Sequence, residues 1–148
     1  KHDFSAFSRP DSERSPIRTV DECSLWRRED GGIIGFTVTA ESFLWNQVRR
    51  MASAIHAVNN SNSSAGEIMD ALRNPGRARD LGRAPADALL LWNIHHRDMP
   101  SSWIAPLPEL PFHSPPLSSD PRSIARWRAT ALSEIHTLLE SDWTSRFT

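Results

Sequence analysis

The sequence predicts an α+β fold in which helices pack on one face of an antiparallel sheet. Three observations support this: a hairpin pattern over residues 18–40, two stretches of helical periodicity over residues 42–74, and a short apolar run over residues 89–96. An arginine-rich loop, residues 77–85, precedes that run, which we interpret as a further strand. Hairpin, helix, helix and strand in this order are typical of a layered domain.

The hairpin comprises one strand over residues 18–29 and a second over residues 33–40. Between them lie Asp30, Gly31 and Gly32, and glycine accepts the positive φ that a tight hairpin turn requires. Apolar residues alternate with small or polar ones along the second strand. This alternation predicts one apolar face on that strand.

Two helices are predicted after the hairpin. The first covers residues 42–58, where one stripe of apolar residues recurs at helical spacing: Leu44, Val48, Met51, Ile55 and Val58. The second begins at Ser64, because Glu67 three residues later completes the pattern of a capping box. It ends at Asn74, before a proline and a glycine that disfavour helix.

The composition changes near residue 100, and seven of the 11 prolines lie between there and Pro121. A last helix is predicted to begin with Asp120 as its cap and Pro121 in its first turn. We therefore expect a domain over residues 1–99, followed over residues 100–148 by a proline-rich connector and a helical extension.

The overall charge and the single cysteine limit the classes of function. A net charge of -1 gives no bulk electrostatic attraction to nucleic acid. However, Lys1 is the only lysine among 17 basic residues, and the arginine fork suits bidentate contacts to phosphates and bases. A general compositional bias towards arginine is the alternative. Cys23 alone excludes intramolecular disulfides and cysteine-based zinc sites, and it fits a cytoplasmic location.

Three sequence blocks resemble TruA-type tRNA pseudouridine synthases. The first is His-Asp-Phe-Ser-Ala-Phe at residues 2–7, followed by Arg-Thr-Val at residues 18–20. The second is Phe-Leu-Trp-Asn-Gln-Val-Arg-Arg-Met at residues 43–51, and the third is Ala-Pro-Ala-Asp-Ala-Leu-Leu-Leu at residues 84–91. Each block alone is weak evidence, but together they fall in order on the predicted elements. The resemblance covers roughly residues 1–97.

The resemblance implies an isomerase that converts uridine to pseudouridine in the anticodon stem-loop of tRNA. Such enzymes use no cofactor or metal and generally act as homodimers, with no membrane involved. Their nucleophile is an aspartate in an Arg-Thr-Asp-x-Gly motif of the N-terminal half. Asp21 is rejected for this role, because Val20 intervenes after Arg18-Thr19 and no glycine follows the acidic residue. We interpret the chain, which opens on Lys1, as a C-terminal part that is inactive alone.

Two residues take specific roles from this resemblance. Arg49 matches the arginine that pairs with the catalytic aspartate, and it falls off the apolar stripe on a helix face shared with Trp45. Leu89 matches a residue that lines the pocket for the target base, although Ala88 stands where the family usually has glycine. The alternatives are a solvated helix arginine and a leucine buried in the core.

Six further arginines are candidates for phosphate contacts, because they lie in loops or at element ends near the expected cleft: Arg14, Arg18, Arg50, Arg77, Arg79 and Arg83. Each has the alternative of an exposed surface arginine. Two other functions also remain open for the whole chain. One is an RNA-binding module without catalysis, and the other is a protein-interaction domain that docks a partner through its proline-rich segment.

Overall fold

The computed structural model describes residues 1–9, 11–27, 33–100 and 120–145. These residues form four strands and three helices, which confirms the predicted α+β class. The chain divides into two compact units, Lys1–Ala86 and Asp87–Thr148, and each is described by itself. The domain boundary predicted after residue 99 stays a prediction.

Two antiparallel ladders make up the β-structure of the first unit. In the smaller ladder, β1 (His2–Asp3) pairs with β2 (Ile17–Arg18). In the larger one, β3 (Val20–Arg27) pairs with β4 (Ile33–Ala40), which confirms the predicted hairpin pairing. The predicted hairpin turn, Asp30–Gly32, lies outside the described residues.

A close contact between Trp26 and Gly35 fixes the register of the larger ladder. The two residues face each other across the strands, and a Cβ at Gly35 would overlap the Trp26 indole. The indole Nε1 donates a hydrogen bond of 2.8 Å to Thr37 Oγ1. A glycine at this position is therefore required by packing rather than by a turn.

Helix α1 covers Gln47–Asn59, so the predicted start at residue 42 is wrong. Asn46 has a φ of 64°, a left-handed conformation in which a helix cannot continue. Leu44 and Gln47, on either side of Asn46, form a turn in which Gln47 N donates to Leu44 O at 3.0 Å and Leu44 N donates to Gln47 Oε1 at 2.9 Å. The turn therefore provides hydrogen-bond partners for the backbone N–H and C=O groups of Leu44, which need them because the helix does not extend this far.

Helix α2 covers Ala65–Arg73 and begins at the predicted cap. Glu67 N donates to Ser64 Oγ at 3.1 Å, and Ser64 N donates to Glu67 Oε2 at 3.2 Å, which completes the capping box. A hydrogen bond from Ser63 to the Glu67 carboxylate is the main reason that the pKa of this carboxyl lies below its ordinary value. A short 3₁₀ helix, Pro75–Arg77, follows α2.

The core of the first unit lies where the N-terminal segment meets the two helices. Phe4 and Phe7 are buried together with Ala54 of α1 and Ala71 of α2. Partly buried apolar side chains close the cluster: Ala6, Val20, Leu44, Met51, Ile68, Leu72, Ala78 and Leu81. The N-terminal segment, α1 and α2 therefore share one core.

The second unit contains helix α3, Pro121–Ser145. It begins as predicted, since Ser123 N donates to Asp120 Oδ2 at 2.9 Å. Most of the predicted proline-rich connector, residues 101–119, lies outside the described residues. None of the helices formed by the described residues has the length and apolar character needed to cross a lipid bilayer.

The strand predicted over residues 89–96 is wrong, because this segment has no regular secondary structure. Leu91 and Ile94 are 71% and 64% exposed. An apolar segment becomes a strand only when a neighbouring strand pairs with its backbone, and no described strand does so here.

The capping box gives a test of the fold. Ser64→Ala should lower the free energy of unfolding of the first unit by about 1 kcal/mol, because it leaves the Glu67 N–H without its acceptor. Urea denaturation followed by circular dichroism measures this change. Ser64→Thr is the matched control, since its hydroxyl keeps the cap. Equal stability of the alanine and threonine variants would contradict the role of the cap.

Candidate functional site

Arg49 is bound to the arginine loop, residues 77–85, through both its side chain and its backbone. Its Nε donates to Ala84 O at 2.7 Å, while Ala84 N donates to Arg49 O at 3.1 Å. The side chain is half-buried in the first turn of α1. The guanidinium is therefore held in one place by neutral backbone groups.

Two further residues of α1 hold the same loop. Arg50 Nη1 lies 2.8 Å from Asp80 Oδ1, and Ser53 Oγ donates to Leu81 O at 2.6 Å. Gly82, whose φ is 78°, donates its N–H to Asp80 Oδ1 at 2.8 Å. This N–H is the main cause, and Arg50 a smaller one, of an Asp80 pKa below its ordinary value. The arginine loop is thus fixed along one face of the helix.

The side-chain amide of Asn46 lies between Arg49 and Arg83. When the amide is turned so that its oxygen faces Arg83 and Trp45, this oxygen accepts from Arg83 Nη1 and from Trp45 Nε1, each at 3.2 Å. In the opposite orientation it makes only a 3.5 Å contact with Arg49 Nη1. We favour the first orientation because it satisfies two donors at shorter distances. The terminal nitrogens of Arg49 then have no acceptor among the described residues.

The two neighbouring arginines of α1 differ in their charge balance. Arg50 is paired with Asp80, whereas no carboxylate of the described residues lies within ion-pair distance of Arg49. The positive end of a helix dipole adds to the charge of Arg49, which lies in the first turn of α1. A half-buried cation in this position favours an anionic partner.

The structure brings together only some of the predicted arginines. Arg49, Arg50 and Arg83 all contact the region where α1 meets the arginine loop. Arg79 lies towards the start of α2, where its Nη2 donates to Asn62 O at 2.6 Å and is 3.7 Å from Glu67 Oε2.

The remaining predicted arginines make only local contacts or none within the described residues. Arg18 is half-buried in β2, and its Nη1 donates to Ser15 O and Ile17 O at 2.7 and 2.8 Å. Arg14 is exposed, 3.9 Å from Asp11. Arg77 is exposed, and no side-chain contact holds it within the described part of the chain.

Leu89 belongs to the second unit, where its side chain is 45% exposed. This exposure excludes the alternative of a buried core leucine within that unit. None of the predicted site residues lies on α3.

The sequence analysis assigned no site role to Asn46, Arg9 and Trp45. Trp45 was expected on the helix face of Arg49, but it precedes the helix and its ring lies 4.5 Å from the Arg9 guanidinium carbon. Asparagine tolerates the left-handed conformation, so Asn46 was the available signal that the helix starts later than residue 42. The Arg9 contact joins two distant segments and left no local signal.

Comparison with known proteins shows consistent similarity to one group. The tRNA pseudouridine synthase family matches residues 1–96. The chain is 41% identical over 96 residues to tRNA pseudouridine synthase A of Methanoculleus marisnigri, covering 65% of this chain and 34% of that protein. It is 34% identical over 99 residues to the protein of that name from Pyrococcus furiosus, covering 66% and 36% of the two chains.

One relative extends the similarity into the C-terminal segment. The chain is 33% identical over 144 residues to tRNA pseudouridine synthase A of Methanocorpusculum labreanum, covering 95% of this chain and 46% of that protein. The resemblance therefore reaches well beyond residue 97, where it was expected to end. The chain spans between about a third and a half of the length of these relatives. On the match over residues 1–96, this chain belongs to the tRNA pseudouridine synthase family.

Proposed function

We propose that this chain is the C-terminal part of a tRNA pseudouridine synthase and that Arg49 binds the catalytic aspartate of the N-terminal half. One observation supports this above all others. The Arg49 guanidinium is fixed through Nε by Ala84 O at 2.7 Å, yet no carboxylate of the described residues neutralises it. It has the position and the free terminal nitrogens that a carboxylate from outside the chain requires.

The pairing has a direct chemical purpose. A guanidinium within hydrogen-bond distance lowers the pKa of an aspartate and keeps it ionised. Two parallel N–H groups also orient the carboxylate, which a single point charge cannot do. The aspartate then attacks the target nucleoside as the glycosidic N–C bond breaks, and the uracil turns and bonds to the sugar through carbon as the aspartate is released. The proton on that carbon is lost to solvent, and the ring nitrogen that left the sugar gains one. Because Arg49 acts on the aspartate, it contributes to catalysis without needing to touch the base.

We infer that the substrate is the anticodon stem-loop of tRNA. The net charge of -1 means that attraction to the phosphates must come from local groups of arginines. Arg77 and Arg83 are exposed on the arginine loop, and Arg14 is exposed before β2. Arg18, Arg50 and Arg79 are already engaged with protein acceptors, so we expect smaller contributions from them.

The remaining parts of the proposal concern the intact protein. Its target uridine leaves the helical stack to reach the aspartate, as enzymes that act on bases require. Leu89 lines the pocket for that base once the other half of the protein is present. The protein acts without a cofactor, as a homodimer in the cytoplasm.

The proposal first predicts where the missing aspartate is encoded. The native reading frame should contain Arg-Thr-Asp-x-Gly before the codon for Lys1. The full-length protein should form pseudouridine in tRNA transcripts, and this chain alone should form none. Chemical labelling of pseudouridine followed by primer extension measures both. Activity of the chain alone would contradict the proposal, while salt-sensitive tRNA binding without such an upstream motif would favour the RNA-binding module.

Arg49 can be tested in the full-length protein. Arg49→Ala should lower the rate of pseudouridine formation at least ~100-fold, because the aspartate loses a fixed electrostatic partner. Arg49→Lys should be severely impaired as well, since an ammonium does not reproduce the planar fork. Binding of tRNA should change little in either variant, and single-turnover assays at saturating enzyme separate the two effects.

Arg50→Ala is the matched control, because Arg50 is the neighbouring arginine of the same helix and is neutralised by Asp80. It should lose some stability of the arginine loop and keep most of the chemical rate. Normal turnover by a correctly folded Arg49→Ala variant would contradict the assignment. So would an equal loss of rate in the Arg50→Ala protein.

A further inference from the structure

We propose that Trp45 is a stacking platform for an unpaired nucleobase of the bound RNA. This inference rests on the proposed function, which it extends by naming a contact surface beside Arg49. Trp45 is 65% exposed and immediately precedes Asn46, the last residue before α1. Exposure alone carries no argument, since single apolar side chains are common on protein surfaces. The way in which the indole is held distinguishes Trp45 from such a residue.

Three contacts fix Trp45 in place. Arg9 N donates to Trp45 O at 3.1 Å, which holds the backbone. The Arg9 guanidinium carbon lies 4.5 Å from the centre of the indole, within cation–π distance. The indole Nε1 donates to the Asn46 side-chain oxygen at 3.2 Å. An exposed ring held in this way has already lost most of its rotamer freedom, so a ligand that stacks on it need not order it.

Leu91 shows the contrast. It is more exposed than Trp45, at 71%, and an aliphatic side chain has no polar atom or ring face by which the protein could orient it. Leu91 is exposed because its segment pairs with no described strand. The Trp45 ring, by comparison, is kept at the surface by contacts that would be lost if it turned inward. The structure therefore maintains an oriented aromatic surface at this point.

The charges around the ring favour RNA over a protein partner. Arg9 lies on one face of the indole. Arg83 Nη1 and the indole Nε1 both donate to the side-chain oxygen of Asn46. An apolar protein surface placed here would have to desolvate these cations. A nucleotide has a flat base to stack and a phosphate to pair with a neighbouring guanidinium. Since stacking tolerates any base, the expected ligand is an unpaired nucleotide beside the target uridine, without a strict sequence requirement.

The test compares two substitutions in the full-length protein with a transcript of the anticodon stem-loop as the probe. Trp45→Leu should weaken binding on the order of tenfold, the usual cost of losing one base–aromatic stack. Trp45→Phe should keep most of the affinity because it keeps an aromatic face. Neither should change the slope of affinity against salt, since stacking releases no counterions. Arg83→Ala should instead reduce that slope by about one phosphate contact.

A second measurement separates stacking from a purely structural role of Trp45. Stem-loops with an abasic nucleotide at successive unpaired positions should include one that weakens wild-type binding but leaves the Trp45→Leu variant unaffected. A structural role predicts instead that Trp45→Leu lowers the unfolding temperature and weakens every stem-loop equally. That result, or unchanged affinity of a folded Trp45→Leu protein, would overturn the inference.

Failure of this inference and failure of the proposed function give different results. If the wild-type protein forms pseudouridine and the Trp45→Leu protein binds the stem-loop equally well, only the stacking role is lost. If the wild-type protein forms no pseudouridine, the proposed function is lost. The abasic series then still reports whether RNA stacks on Trp45, because it measures binding and needs no turnover. If the wild-type protein binds no stem-loop at all, the stacking role is overturned as well.

Discussion

The reciprocal contact between Arg49 and Ala84 is the interaction on which the candidate site depends. Ala84 N donates to Arg49 O at 3.1 Å, and the Arg49 side chain donates through Nε to Ala84 O at 2.7 Å. One pair of bonds therefore sets the position of the arginine loop and the orientation of the guanidinium together. Since the bond to Ala84 O uses only Nε, the two terminal nitrogens of Arg49 can donate to another acceptor. Arg50 and Ser53, one turn apart on α1, hold the same loop through Asp80 and Leu81.

Because α1 begins only at Gln47, the exposed Trp45 ring lies just before the helix. Had the helix begun at residue 42, Trp45 would lie along it and its Nε1 could not reach the Asn46 side chain in the same way. The left-handed Asn46 marks the N-terminal end of the helix, and the indole of Trp45 and the amide of Asn46 there meet two guanidinium groups from other parts of the chain, those of Arg9 and Arg83. A residue with a positive φ thus separates a partly buried helix from an exposed aromatic ring.

Those parts of the fold that depend on local chemistry could be predicted from the sequence. The caps at Ser64 and Asp120 were correct because each needs only residues three positions away. The hairpin pairing was correct because alternation and turn residues are neighbours in sequence. The strand over residues 89–96 was wrong because a strand needs a partner, which local composition does not reveal. The predicted start of α1 was wrong because the apolar periodicity includes Leu44, which precedes the left-handed Asn46 where the helix cannot continue.

The arginines were the least predictable feature, because their residue type does not show whether the protein neutralises them. Arg49 and Arg50 are adjacent and share a helix, yet only Arg50 has a carboxylate partner among the described residues. Pairing with Asp80 fixes a loop, whereas the absence of such a partner leaves Arg49 able to bind an anion from outside the chain. The sequence motif does not distinguish the surroundings of the two arginines, whereas the loop that pairs with Arg50 and holds the Nε of Arg49 does.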